Sequence, residues 1–129
     1  MAGGGLAARP GIGRRAEDLA VAALEDAGLR IVERNWRRPE GELDLVADDG
    51  GTCVFVEVRS RTGVEHGDPL ETITARKRAR VIRAARLYLE AGSLAASAYR
   101  FDVVGVTFPG EGGDPVVVHL ANAFDLTGV

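Results

Sequence analysis

The sequence predicts an α/β protein of layered architecture with a β-hairpin at its centre, and three observations predict it. Helical and strand periodicities alternate along the chain in the order α-β-β-β-α-β-β. Two strand-like runs flank Asp48-Asp49-Gly50-Gly51, a strong hairpin signal. Hydrophobic residues make up 46% of the chain and charged residues 27%, which suits one globular core rather than a membrane span or a disordered segment.

The first helix is expected over 14–27, where Leu19, Ala20, Ala23, Leu24 and Ala27 recur at helical spacing. Gly28 stands where a left-handed C-cap belongs. A strand follows over 29–36, and Pro39-Glu40-Gly41 marks the turn out of it. The hairpin strands are expected over 43–47 and 52–59, with Asp49-Gly50 as a two-residue turn. Gly63, Gly67 and Pro69 make 60–71 a loop. A second helix spans about 74–91 and stops at Gly92. Two further strands, 99–107 and 115–120, are separated by the Gly- and Pro-rich stretch that starts at Pro109.

A chain of 129 residues has room for a single domain, expected over 14–129 behind a flexible tail, 1–13, that is rich in Gly and Ala. The tail lacks the apolar stretch of a signal peptide, and no run is long enough for a transmembrane helix. Cys53 is the only cysteine, so an internal disulfide and a cysteine-based zinc cage are excluded. The expected compartment is the cytoplasm. The net charge of −3 argues against a general nucleic-acid coat protein. Basic residues nevertheless cluster, all but one of the 16 being Arg, around Arg37, Arg59 and Arg61, and over 76–86.

The residues that suggest chemistry lie in the hairpin. Alternation puts Phe55, Glu57 and Arg59 on one side of their strand and Val54, Val56 and Val58 on the other. With an Asp49-Gly50 turn, Asp44 lies opposite Phe55 and Glu57 is its diagonal neighbour on the same face. Two carboxylates among Val, Leu and Phe are costly unless something positive sits between them. A hard divalent cation, Mg²⁺ or Mn²⁺, is one answer, and neutralisation by Arg59 in a buried ion cluster is the other. Glu17 falls at the border of the apolar arc of the first helix, which adds a third acid leaning toward the core.

Gly13-Arg-Arg-Ala-Glu17, Arg34-Asn-Trp36, Gly41-Glu-Leu-Asp-Leu45, Phe55-Val-Glu-Val-Arg59, Thr74-Ala-Arg-Lys77, Arg100-Phe-Asp102 and Asn122-Ala-Phe124 occur in this order. Together they resemble the YraN-like family of bacterial proteins, whose fold is similar to that of archaeal Holliday junction resolvases within the PD-(D/E)xK nuclease superfamily. The resemblance covers nearly everything from Gly13 to Phe124. It implies a restriction-endonuclease-like three-layer fold, a central mixed β-sheet flanked by helices. It also implies that Asp44 is a metal-binding aspartate, Glu57 the second acidic ligand, the Val58 backbone carbonyl a further ligand, and Glu17 the helix glutamate. Arg59 departs from the superfamily, which usually has Lys there. A guanidinium stays charged at all accessible pH and cannot act as a base, although it can stabilise developing charge.

Other residues carry two readings each. Arg76, Arg80 and Arg83 form a helical stripe that is either a phosphate-contacting edge or a solvated face. Lys77, the only lysine, points elsewhere and is in a position to approach the carboxylates in place of the missing lysine. Arg37 and Arg61 join the candidate nucleic-acid contacts. Trp36 either stacks a base or closes the edge of the core. His119 reads as a satisfied structural histidine, His66 as a loop residue, Cys53 as a small buried residue and Glu42 as an outer acid. The expected function is a metal-dependent endonuclease acting on DNA, branched or structured. The rivals are a nucleic-acid-binding module without turnover and a protein-interaction factor in DNA uptake or repair. A homodimer is compatible with either DNA reading, and no membrane partner is expected.

Overall fold

The computed structural model describes residues 11–63, 73–92, 96, 98–110 and 112–124. The elements are α1 (Gly11–Asp26), β1 (Arg30–Arg38), β2 (Gly41–Asp49), β3 (Thr52–Thr62), α2 (Ala75–Glu90), β4 (Ala98–Phe108) and β5 (Val116–Phe124). The strands form one mixed sheet in the order β1-β2-β3-β4-β5. Its neighbours are antiparallel except β3 and β4, which are parallel and joined through α2. This is the expected α/β order, and the layers are those of the restriction-endonuclease-like fold. Among the described residues, no helix is long and apolar enough to cross a membrane.

Each face of the sheet carries its own core. On one face Ala16, Ala20 and Leu24 of α1 pack on Leu45, Ala47, Val54, Val56, Val104 and Val106. On the other, Val81, Ile82, Ala85 and Tyr88 of α2 pack on Trp36, Leu43, Val46, Phe55 and Phe101. The small residues on α1 let the helix lie close to strands crowded with valine, while aromatic side chains fill the wider space under α2. Trp36 meets Tyr88 edge-on at 5.3 Å, and Arg38 covers its ring at 4.3 Å. Its core reading is therefore the one observed.

The helix ends follow local chemistry. Gly28 takes a φ of 95°, and its N–H donates to the Glu25 carbonyl while Leu29 N–H donates to the Leu24 carbonyl. This is a Schellman stop, with Leu24 and Leu29 both buried in the same core. Thr74 caps α2 by accepting from Lys77 N–H at 3.1 Å, which gives the Thr74-Ala-Arg-Lys77 motif a physical reason.

Three expectations need correction. The two-residue hairpin loop is Gly50-Gly51, not Asp49-Gly50, because two successive positive φ values, 60° and 101°, fall on the glycines. Asp49 instead closes the ladder against Thr52, and Val46 rather than Asp44 lies opposite Phe55. Helix α1 begins at Gly11, so 11–13 belong to it rather than to a tail. Strand β3 continues to Thr62, where the Gly63 N–H reaches the Phe108 carbonyl at 2.9 Å, so the loop starts later than 60. His66 and the expected tail residues 1–10 lie outside the described residues.

Candidate functional site

The centre of the site is a place where the sheet stops being regular. The β2–β3 ladder runs from Asp49–Thr52 to Leu45–Val56, and one step further the register sets Asp44 against Glu57. There side chains take over the backbone pairing. Val58 N–H donates to Asp44 Oδ2 at 2.9 Å, and Asp44 N–H donates to the Glu57 carboxylate. The alternation of β2 breaks at the same residue, since Leu43 faces α2 while Leu45 faces α1. On β1, Asn35 lies at the same level with a φ of 55°, between the Arg34–Leu45 and Trp36–Leu43 pairs. Its left-handed turn lets Arg34 reach α1 while Trp36 enters the opposite core.

Two clefts open on this defect, one on each face. Asp44 and Val58 line both. The cleft on the α1 side, of about 610 Å³, is also walled by Arg14, Glu17, Arg34, Asn35 and Ser60. The cleft on the α2 side, of about 190 Å³, is also walled by Glu42, Glu57, Arg59, Lys77 and Arg80.

Glu57 is only 5% exposed. Burial first, and the Asp44 charge second, push its carboxyl up from the ordinary 4.5 to about 8, against the opposing pull of Lys77 and Arg59. Asp44 is raised as well, by burial and by the charges of Glu42 and Glu17, and lowered by the Val58 N–H and Lys77. The pair is thus held together in low dielectric with less positive charge than it needs. Such a donor set, two carboxylates beside a backbone segment and open to water, fits a hard divalent cation that accepts oxygen ligands and keeps waters.

The three acids do not form one cluster. Among the described residues, no group of three His, Cys, Asp or Glu side chains is placed to hold a metal ion. Asp44 and Glu57 meet on the α2 side, whereas Glu17 shares the α1 cleft with Asp44 and is held by Arg34. Arg34 donates to Glu17 Oε1 through Nε at 3.2 Å and Nη2 at 2.7 Å, and through Nη2 to Asp18 Oδ1 at 2.6 Å.

The basic residues divide. Arg59, Lys77 and Arg80 line the α2 cleft with the carboxylates. Arg37 does not line it but pairs at 3.1 Å with Glu42, which does. Arg76 and Arg83 are exposed on α2 away from the cleft, and Arg61 lies further along β3, partly buried. Sequence reasoning gave Arg34 no role in the site, although Arg34-Asn-Trp36 was one of the motifs, and gave Gly41 none beyond its turn and its place in the Gly41-Glu-Leu-Asp-Leu45 motif. A Cβ on Gly41 would sit 2.9 Å from the Arg80 carbonyl, so this glycine lets α2 come down onto β2 beside the site.

Asp102 forms a second polar centre. It is fully buried and receives Arg100 through Nε at 3.0 Å and Nη2 at 3.2 Å, His119 Nε2 at 2.8 Å, and Asn122 N–H at 2.8 Å. His119 is the satisfied structural histidine that the strand pattern implied. Cys53 is buried and its thiol is pushed up to about 11 by burial and Asp48, which leaves it no nucleophilic character.

Comparison with known proteins places this geometry in a family. The profile described as "Uncharacterised protein family UPF0102" matches residues 16–106, which include Glu17, Asp44, Glu57 and Lys77. A UPF0102 protein of Stutzerimonas stutzeri is 49% identical over 114 residues, covering 88% of this chain and 93% of its own length. One of Anaeromyxobacter dehalogenans is 47% identical over 127 residues, covering 98% and 93%. One of Frankia casuarinae is 43% identical over 120 residues, covering 92% and 100%. The chain therefore belongs to the UPF0102 family.

Proposed function

We propose that this protein is a metal-dependent endonuclease acting on DNA, with branched or structured DNA as the substrate class to test first. The observation that carries this reading is the Asp44–Glu57 pair. Glu57 is buried and Asp44 half-buried at a break in the sheet, and the pair is under-neutralised with three cations lining the same cleft. Asp44 and Glu57 would hold Mg²⁺ or Mn²⁺, with the Val58 backbone carbonyl as the third protein donor. When bound, the ion supplies an activated water and offsets charge on the scissile phosphodiester.

The chain's own residues do the rest. Arg59 stabilises charge that develops on the phosphate, the task open to a guanidinium. Lys77, fixed in the first turn of α2 by the Thr74 cap, brings the ammonium that the superfamily usually supplies from the Arg59 position. Arg80 extends the cationic wall toward the next phosphate.

A second reading, a DNA-binding module without turnover, is favoured by one observation: Arg stands at residue 59 where Lys usually stands. The experiment that separates them is cleavage of labelled four-way and linear duplex DNA in Mn²⁺. The endonuclease reading expects cut product from wild type, none from Asp44→Asn, and losses on the order of 10²-fold for Arg59→Ala and Lys77→Ala. Salt-dependent DNA binding with no cleavage by wild type selects the binding module.

A further inference from the structure

Arg38 lies over the Trp36 ring, its guanidinium carbon 4.3 Å from the ring centroid, on the side of the sheet that carries α2. Trp36 is buried and meets Tyr88 edge-on, so the ring is a fixed floor and Arg38 is its outer layer. The Arg38 side chain is held a second time, because Nη1 donates to the Arg37 carbonyl at 2.6 Å. Arg38 itself is exposed, so the face of the guanidinium turned away from Trp36 meets solvent.

The register sets this stack beside the proposed centre. Arg38 pairs with Gly41, and Arg37 with Glu42, which lines the α2 cleft. Gly41 is where the Arg80 backbone comes down onto β2, and Arg80 is one of the cations of that cleft. The stack therefore stands one strand over from Gly41, at the end of the cleft that Arg80 walls. Phosphates and bases use a guanidinium differently: a phosphate takes donors from its edge, whereas a base stacks on its plane. In Arg38 one edge nitrogen is tied to the backbone, one face is covered by Trp36, and the other face is open. A flat cation immobilised in this way is a stacking platform.

We infer that Arg38 sets the substrate specificity of the site: its open face receives an unpaired nucleobase of a DNA strand whose phosphates lie in the α2 cleft. A base inside an intact duplex is already stacked between its neighbours and does not reach the platform. The site therefore prefers DNA with unpaired nucleotides, at a fork, flap or branch, over continuous duplex. Trp36 holds the guanidinium in place and does not touch the base. The inference rests on the α2 cleft being the place where DNA binds.

The test is fluorescence anisotropy of labelled DNA in EDTA, so that binding is read without cleavage. The probes are a blunt duplex, a fork that adds an unpaired arm to it, and forks in which an abasic nucleotide replaces each unpaired one in turn. Wild type is expected to bind the intact fork on the order of tenfold more tightly than the fork that is abasic at one position, the size of one stacked base. Arg38→Lys keeps the charge and loses the planar face, so it should bind intact and abasic forks equally, with its affinity for blunt duplex unchanged. A role confined to covering Trp36 or to attracting phosphate would not make binding depend on a base. A melting curve verifies that the variant is folded, and the abasic series on wild type needs no variant. Wild type indifferent to every abasic position overturns the inference while the endonuclease reading stands. Discrimination that survives in Arg38→Lys also overturns it, since the base then rests elsewhere. Discrimination that Arg38→Lys abolishes supports the platform even where Mn²⁺ brings no cleavage, an outcome that sinks the endonuclease reading alone. Wild type that binds none of these DNAs, with or without Mn²⁺, overturns both.

Discussion

Asp102 on β4 and the Asp44–Glu57 pair on β2 and β3 lie close in the sheet, for Asp102 pairs in the parallel ladder with Val56, the residue before Glu57. Both places bury carboxylate in a sheet rich in valine. Asp102 is matched by Arg100, His119 and the Asn122 N–H, so its oxygens are occupied from several sides. Asp44 and Glu57 receive a backbone N–H each and lie near one another, and burial raises both carboxyls, that of Glu57 to about 8. A buried charge that serves the fold is matched by the fold. One left short of positive charge, and open to a cleft, is available to a ligand.

The comparison breaks most sharply at Asp102. Asp102→Asn leaves Arg100 and His119 facing a neutral amide in a buried position, which costs about 3 kcal/mol, the scale for removing one partner of a buried ion pair. Chemical denaturation of the metal-free protein measures it. A loss below about 1 kcal/mol would mean that Asp102 is not the structural centre described.

The converse holds for Glu57. Its folded pKa, about 8, lies above its ordinary 4.5. Between those values the folded protein holds a proton on Glu57 that the unfolded chain has lost, so the contribution of Glu57 to stability is most favourable below about pH 4.5 and is lost as pH rises toward about 8. Glu57→Gln should remove that slope and leave the metal-free protein about 2 kcal/mol more stable at pH 8. This is less than the full shift implies, because the two acids act on one another through their charges and the cleft admits water. A pH series of denaturant midpoints gives the result, and a slope that survives Glu57→Gln would assign it to another group.

The strands and helices were legible in the sequence because period and punctuation agree: valine alternation in β3, glycine after α1, threonine before α2. The face shared by Phe55, Glu57 and Arg59 was legible for the same reason. The register was not, since Asp49-Gly50 and Gly50-Gly51 are both good turn pairs and only the structure shows which glycines take positive φ. Nor was the break at Asp44, because Leu43-Asp44-Leu45 reads as ordinary alternation while its two leucines face opposite cores. Glu17 was legible as a carboxylate near the core, but its Arg34 partner comes from a strand 17 residues away and has no periodic signature. Lys77 could be placed beside the acids only in outline. Its approach depends on α2 crossing the sheet close to Gly41, a tertiary fact that the chain does not spell out locally.

The central claim is that the under-neutralised pair, and not the matched one, is where a divalent ion binds. It is tested most directly by the rise in melting temperature on adding millimolar Mn²⁺ to wild type, the Asp44→Asn/Glu57→Gln double variant, and Asp102→Asn. A ligand that binds only the folded state stabilises it by mass action, by about 2.7 kcal/mol at a hundred times its Kd. The account predicts a rise for wild type, the same rise for Asp102→Asn from its lower starting point, and none for the double variant. An undiminished rise in the double variant would contradict it.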